Sequence, residues 1–532
     1  MKFQDLEKGH EIYYTCSMNK KIYANTGKLS CLLILFLALG TLQSCKKSRS
    51  DIGQVLFKET KNKVFKNIET DAFIAVFKQT LEEKKSTLRN PKLITAFYES
   101  NDFDPVLVTT HLPDEQLKTM SSYLTQANAH GLDPQLFSAT TIAELVKKVY
   151  DKKAIKSVED AYKTIAELEL LTANSLIDYS NALQYGMISP RKIYATYYTE
   201  TERPDSASMM RVFAVKDLKN YLDSIQPKSP QYLALQKGLA SGTVAPGLTQ
   251  EETVRILQVN LERFRWKNSK EDKKYVVVNI PDFTLNVMDN GKSILDMKVC
   301  VGEGRKLNAS DELKEYDETG LKKDRPFSRE TPQLGSMIHS VQVNPVWNIP
   351  ESIATKEISK HAAADRYYLA NNNIDVFKDG QLIEDTELID WSDPSAGKDY
   401  LFKQRPGNDN SLGKIKFLFK NDVAVYLHDT PAKAAFDKKV RSVSHGCVRV
   451  EKPLELAQAL FGNSKQYETI KTEMAKTENQ EAKDIALPTQ IPVYLTYFTT
   501  WVDANGTLQF RDDIYGLDVV LYSYLQKLNK TA

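Results

Sequence analysis

The sequence predicts an α+β protein, with a mostly helical N-terminal scaffold domain followed by a β-rich domain. Three observations predict it. Apolar residues recur at three- and four-residue steps through the first half, and from Tyr275 the period shortens to two. A chain of 532 residues, 42% hydrophobic and 26% charged, is also long enough for about two to four domains with buried cores. Lys+Arg 71 against Asp+Glu 69 leaves a formal charge of +2, which excludes a polyanion-binding surface over the whole chain, so no nucleic-acid partner is expected. Five cysteines are too few for a disulfide scaffold.

The elements follow in order. Leu32–Leu39 is wholly apolar but too short to span a bilayer, and Lys20, Lys21 and Lys28 flank it, as in a secretory signal. Leu42-Gln43-Ser44-Cys45 resembles a bacterial lipobox, which implies lipidation of Cys45, with Gln43 a departure from that motif. Asp5, Glu7 and Glu11 make residues 1–17 an unusual leader, so Met18 is a candidate start. This predicts a signal peptide over 1–44, a polar tether over 45–70, and an exported, periplasmic lipoprotein anchored to a membrane by its N-terminus.

Residues 71–240 read as the helical scaffold domain. Asp114 is placed to cap a helix carrying Leu117, Met120, Leu124 and Ala127, with His130-Gly131 as its stop. A longer helix runs from Ser157 towards Gly186. Residues 241–272 form a linker and a connecting helix, Glu252–Trp266. Strands then follow at Tyr275–Ile280, Phe283–Met288, Ile294–Val301, Ile338–Val343 and Ile415–Leu427, with a hairpin turn at Asp289-Asn290-Gly291. The β-rich domain spans 273–475, with a charged insertion at 303–330, a helix over Ser352–Arg366 and a polar stretch from Asn371 to Asn410. Residues 476–532 add the strand Ile491–Phe498 and the closing helix Leu517–Leu528.

The chemistry concentrates in Ser442–Val450, with Tyr426-Leu427-His428 on the strand before it. A thiol becomes a strong nucleophile only as thiolate, and an imidazole can take its proton. Cys447 is therefore the candidate nucleophile and His428 its base, with Ser444 available to orient a histidine. Gly446 permits a tight turn whose amides, with His445, would form an oxyanion environment. Arg449 suits a substrate carboxylate, and Tyr426 and Trp347 are candidate substrate contacts. The same residues leave alternatives open: a buried structural cysteine, a Cys300–Cys447 disulfide, or a zinc site of His428, His445 and Cys447 that lacks a fourth ligand.

His428 with Ser444-His445-Gly446-Cys447 and Arg449 resembles the signature of the L,D-transpeptidases, the YkuD-type catalytic domain. Asn344–Pro350, Leu412–Phe417, Tyr426–Pro431, Asn260–Trp266, Ile491–Tyr494 and Phe510–Tyr515 are similar to its large, periplasmic, murein-cross-linking branch, and His130–Pro134 to that branch's scaffold domain. No segment matches the peptidoglycan-binding module that this branch often inserts. The resemblance implies a peptidoglycan L,D-transpeptidase forming 3→3 cross-links between diaminopimelate residues through a cysteine thioester. Stem peptides would be donor and acceptor, with no metal or organic cofactor, and carbapenems would acylate the same thiol. A lid within 352–410 would exclude water. Competing expectations are an L,D-carboxypeptidase or endopeptidase, a lipoprotein-attaching thiol enzyme, and a non-catalytic murein-binding lipoprotein. The sequence specifies no protein partner.

Overall fold

Residues 51–267, 272–304, 324, 329–393 and 395–531 are described by the structure, a computed structural model. Ile52–Ala532 fold as one unit. The expected signal peptide, Cys45 and most of the expected insertion (305–323 and 325–328) lie outside the described residues.

The helical layer begins earlier than the sequence suggests. The expected tether is replaced, from Ile52 on, by helix α1 (Ile52–Thr60) and a 3-10 turn, Lys63–Asn67. Ile52, Leu56 and Phe65 are buried in the helical core. The polar run that precedes Ile52 masks this short i, i+4 apolar step. Helix α2 (Thr70–Lys84) packs on α3 (Val158–Tyr185), the 28-residue axis of the layer. Ser157 caps α3 by accepting from Asp160 N–H at 3.2 Å, and Gly186 ends it at φ 77. Asp114 is not the expected cap. Pro113 opens a 3-10 turn in which Asp114 and Glu115 are left-handed, and the helix starts at Gln116.

Helix α4 (Gln250–Arg265) joins the helical layer to the β region. Thr249 and Glu252 form a reciprocal capping box at its start. At its end, Arg265 is fully buried, paired with Glu262, and donates to the His130 carbonyl at 2.8 Å and the Tyr232 hydroxyl at 2.9 Å. Arg263 turns the other way and pairs with Asp518 of α5 (Leu517–Thr531). Burial without such partners would be costly for either guanidinium.

The β region opens with β1 (Lys274–Asn279), β2 (Thr284–Asp289) and β3 (Lys292–Gly302); Asn290 and Gly291 take positive φ in the β2–β3 turn. Strand β4 (Leu334–Val343) leads into an excursion that contains β5 (Trp347–Ile349), β6 (Ile374–Lys378), β7 (Gln381–Leu382) and β8 (Leu401–Gln404). The chain returns through β9 (Ile415–Phe419), β10 (Leu427–His428), β11 (Ser442–Ser444), β12 (Val448–Val450) and β13 (Lys483–Thr496). Among the described residues the main sheet runs β11-β3-β12-β10-β9-β4-β13-β1-β2, and β2 also pairs with β3, so the pairings close on themselves. One face is apolar, with Ile415, Phe417, Leu427, Val448 and Val450 all buried.

Two differences from the expected elements shape the site. The strand expected over Ile415–Leu427 breaks after Phe419, because the Asn421 side chain bonds Phe419 O and Val425 O and accepts from Val425 N–H, while Ala424 takes φ 53. The break re-aims β10. The polar stretch 371–410 contains three strands that join β5 in a second sheet, β5-β8-β6-β7. With the helical segment 351–364 they enclose a small core of Ile353, Ile358, Val376 and Phe402. Strands of two to five residues carry too little alternation to stand out in a sequence.

Candidate active site

The open face of the sheet is built by register. Lys416 on β9 pairs with His428 on β10, His428 with Arg449 on β12, and Arg449 with Cys300 on β3. In-register residues share a face, so three basic side chains lie in one row across adjacent strands. Lys416 and Arg449 flank His428 on its two sides, so a ligand anion seated over this row would meet two cations. The Nε of Arg449 is buried and has no hydrogen-bond partner among the described residues. Cys447 and Tyr426 stand one same-face step from Arg449 and His428, and the Val448 N–H donates to the Tyr426 carbonyl at 3.1 Å, holding the two strands level.

His428 is buried, and its Nδ1 lies 2.5 Å from the Asp429 carbonyl oxygen. A carbonyl only accepts, so Nδ1 carries the proton and Nε2 keeps its lone pair. Burial, then the Arg449 charge, push the imidazole down to about 4, so it is neutral at pH 7. Burial likewise raises the Cys447 thiol. Opposing that are the polar groups of Tyr426 beside the sulfur and the charges of Arg449 and Lys416. The Sγ lies 4.0 Å from the Ala424 carbonyl, on the turn created by the strand break. Trp347 lies near the Tyr426 hydroxyl, and the Tyr426 ring stands 5.7 Å from that of His428. At rest the thiol and the imidazole, on neighbouring strands, are therefore both neutral, and the imidazole keeps an open lone pair. Within hydrogen-bond reach of each other, such groups can transfer a proton as a carbonyl is attacked.

The turn at 444–447 differs in detail from expectation. Ser444 does not orient a histidine. Its hydroxyl donates to the Cys447 carbonyl at 2.5 Å and accepts the Gly446 N–H at 3.1 Å. The Gly446 amide is thus engaged inside the turn rather than turned to an oxyanion. Gly446 has φ 114, and a Cβ there would stand 3.3 Å from the Glu330 carbonyl, so glycine is required. Thr331 braces the same turn, its Oγ1 donating to Gly446 O at 2.8 Å.

His445 points away from the sulfur towards the helical segment 351–364, where its Nε2 lies 2.7 Å from Glu357. Cys300 and Cys447 are both free thiols. Among the described residues, no three His, Cys, Asp or Glu side chains converge as a metal site. The sequence reading missed Lys416 and Glu357. Lys416 was within reach, because the buried alternation Ile415, Phe417, Phe419 puts it on the opposite face.

A thiol and an imidazole on an open sheet face, ringed by cations, define a candidate cysteine acyl-transfer site on an α+β fold. Residues 273–464 match the family model of the L,D-transpeptidase catalytic domain, YkuD, and residues 92–239 match that of a Scaffold domain. A protein of Haemophilus influenzae named "Putative L,D-transpeptidase" is 26% identical over 464 residues, covering 85% of this chain and 86% of the relative. The chain carries a YkuD L,D-transpeptidase catalytic domain preceded by a scaffold domain.

Proposed function

We propose that the protein is a peptidoglycan L,D-transpeptidase that forms 3→3 cross-links between diaminopimelate residues of stem peptides. The observation that carries this reading is the cationic row beside Cys447, with neutral His428 set in it, Nε2 unprotonated. It rests also on the matched catalytic domain.

In this reading Cys447 Sγ attacks the carbonyl of the diaminopimelate–D-alanine bond while its proton passes to His428 Nε2. The C–N bond breaks, D-alanine leaves with that proton on its amine, and a thioester remains. An acceptor diaminopimelate amine then attacks, the S–C bond breaks and the thiol is restored. A thioester keeps acyl energy where ATP is absent. Arg449 and Lys416 meet substrate carboxylates, and an anion seated between them meets both cations. That anion also lifts a charge penalty from His428, so the base gains proton affinity as donor binds. The Cys447 amide is the oxyanion donor left after Gly446 is engaged. The second sheet and its helical segment act as the lid that keeps water from the thioester. Tyr426 and Trp347 form a wall near the sulfur and bound the donor site. Export by the N-terminal segment and lipidation at Cys45 place the enzyme in the periplasm, held to a membrane.

The test is the intact mass of the purified protein after incubation with a carbapenem, beside Cys447→Ala. One adduct, absent from the variant, is expected. A folded wild-type protein without adduct refutes the reading. Muropeptides with tetrapeptide stems then separate 3→3 linked products from hydrolysed tripeptides, which would instead indicate a carboxypeptidase.

A further inference from the structure

Glu357 lies in a π-helical turn, Ala354–Ile358, inside the helical segment 351–364. Such turns are rare and concentrate at functional sites. This one is held in place. Ser359 Oγ donates to the Ala354 carbonyl at 3.0 Å, and a Cβ on Gly397 would stand 2.3 Å from Thr355 Cα, so the short helix Ala396–Asp399 that leads into β8 packs directly on it.

One oxygen of Glu357 serves two partners. Its Oε1 lies 2.7 Å from His445 Nε2 and accepts from Arg329 Nη2 at 2.5 Å. Arg329 Nη1 in turn donates to Glu303 Oε1 at 2.8 Å. Burial opposes ionisation of Glu357, but the His445 and Arg329 contacts outweigh it and hold the carboxyl below the usual range. The three side chains are only about one-third exposed. Glu357 thus ties the lid segment to the residue two before Cys447 and to the backbone that braces the same turn. A Cβ on Gly446 would lie 3.3 Å from Glu330 O and 3.8 Å from Arg329 O.

We propose that Glu357 is a positioning residue for acyl transfer at Cys447: through His445 it sets the 444–447 turn, and only when the lid segment is seated. This rests on the transpeptidase reading of Cys447. The carboxylate touches neither the thiol nor the substrate. Its effect is to make the geometry of the turn depend on the lid, so an unseated lid leaves a thiol that is present but poorly aimed. Misplacement by about 1 Å at a reacting centre costs roughly 100-fold in rate.

The experiment uses the full chain and the variants Glu357→Ala, Glu357→Gln and Arg329→Met. Two rates are read at Cys447 by intact mass: acylation by a carbapenem, resolved into saturation constant and maximal rate, and alkylation by iodoacetamide. Alkylation needs only an accessible thiol, whereas acylation needs the aimed turn. Glu357→Ala is expected to lower the maximal acylation rate by roughly 100-fold, with alkylation within about twofold of wild type. Glu357→Gln keeps an acceptor for His445 and is expected to recover most of the rate, and Arg329→Met to fall between. Equal acylation by wild type and Glu357→Ala would overturn the inference alone. So would a parallel loss of acylation and alkylation in all three variants, since that is a folding defect. Wild-type protein that takes no carbapenem would overturn both this inference and the reading beneath it.

Discussion

At Cys447 burial and charge pull in opposite directions. Burial favours the thiol, while Arg449, Lys416 and the polar groups of Tyr426 favour the thiolate. Removing one cation should therefore shift the balance visibly. Lys416→Met is expected to raise the midpoint of the pH–alkylation profile of Cys447 by about one unit, a typical effect of one nearby charge. Lys420→Met, exposed at the end of the same strand, should leave the midpoint unchanged. Measuring iodoacetamide rates from neutral to alkaline pH checks both. The signature residues could be found by eye because the turn and its strand keep them within a short stretch. Their individual duties could not. Ser444 and Gly446 bond to each other within the turn, a fact of rotamer and backbone rather than of residue type. Glu357 stands 88 positions from His445, and no local pattern links them.

Among elements, α4 shows how a motif can be legible and its purpose hidden. The run Asn260–Trp266 stood out by family likeness, yet its residues serve as the joint between layers. Glu262 accepts from Ile188 N–H at 2.8 Å while pairing with Arg265, and Asn260 Nδ2 donates to Thr499 at 2.7 Å. Asp518 receives Arg263 and also the Thr499 hydroxyl at 2.6 Å. Asp518→Ala would take from the buried Arg263 guanidinium its ion-pair partner, leaving only the Asn260 and Tyr194 oxygens as hydrogen-bond partners among the described residues, with an expected cost of about 3–5 kcal/mol, measured by urea unfolding. Long periodic elements, such as α3 with its serine cap and terminal glycine, were readable because pattern and capping agree. The broken strand after Phe419 was not. Its residues have strand propensity, and one asparagine side chain overrides them.

Across the whole molecule, buried ionisable groups of two kinds oppose each other. Burial pushes His111, His130 and His428 down to about 4, so each favours the folded state above pH 6.5 and loses that advantage as pH falls towards 4. Burial pushes Glu169 and Asp178 up to about 7, so each favours folding at low pH and loses its contribution as pH rises through 7. Glu169 is fully buried, accepting from the Tyr98 hydroxyl at 2.6 Å and from the N–H groups of Leu107 and Val108. Glu169→Gln removes one arm of that balance. Relative to wild type, its unfolding free energy should improve between pH 5 and pH 8 by at least about 1.4 kcal/mol. Denaturant midpoints at the two pH values decide it. The α+β division was readable at this scale because the strand period first appears at Tyr275, after a long stretch of helical period alone. The second sheet was hidden because it interrupts a hairpin. Its excursion leaves β4 and returns on β9, neighbours in the main sheet, and Asn344 N–H donates to the Lys414 carbonyl at 2.8 Å where the two ends meet. The excursion is therefore a graft on an already closed loop. It can lengthen, shorten or change its sequence in descent at little entropic cost to the strands beneath, since loop closure grows only slowly with length. Changes in the excursion are therefore cheap for the strands beneath it, except at Glu357, which holds His445 of the 444–447 turn.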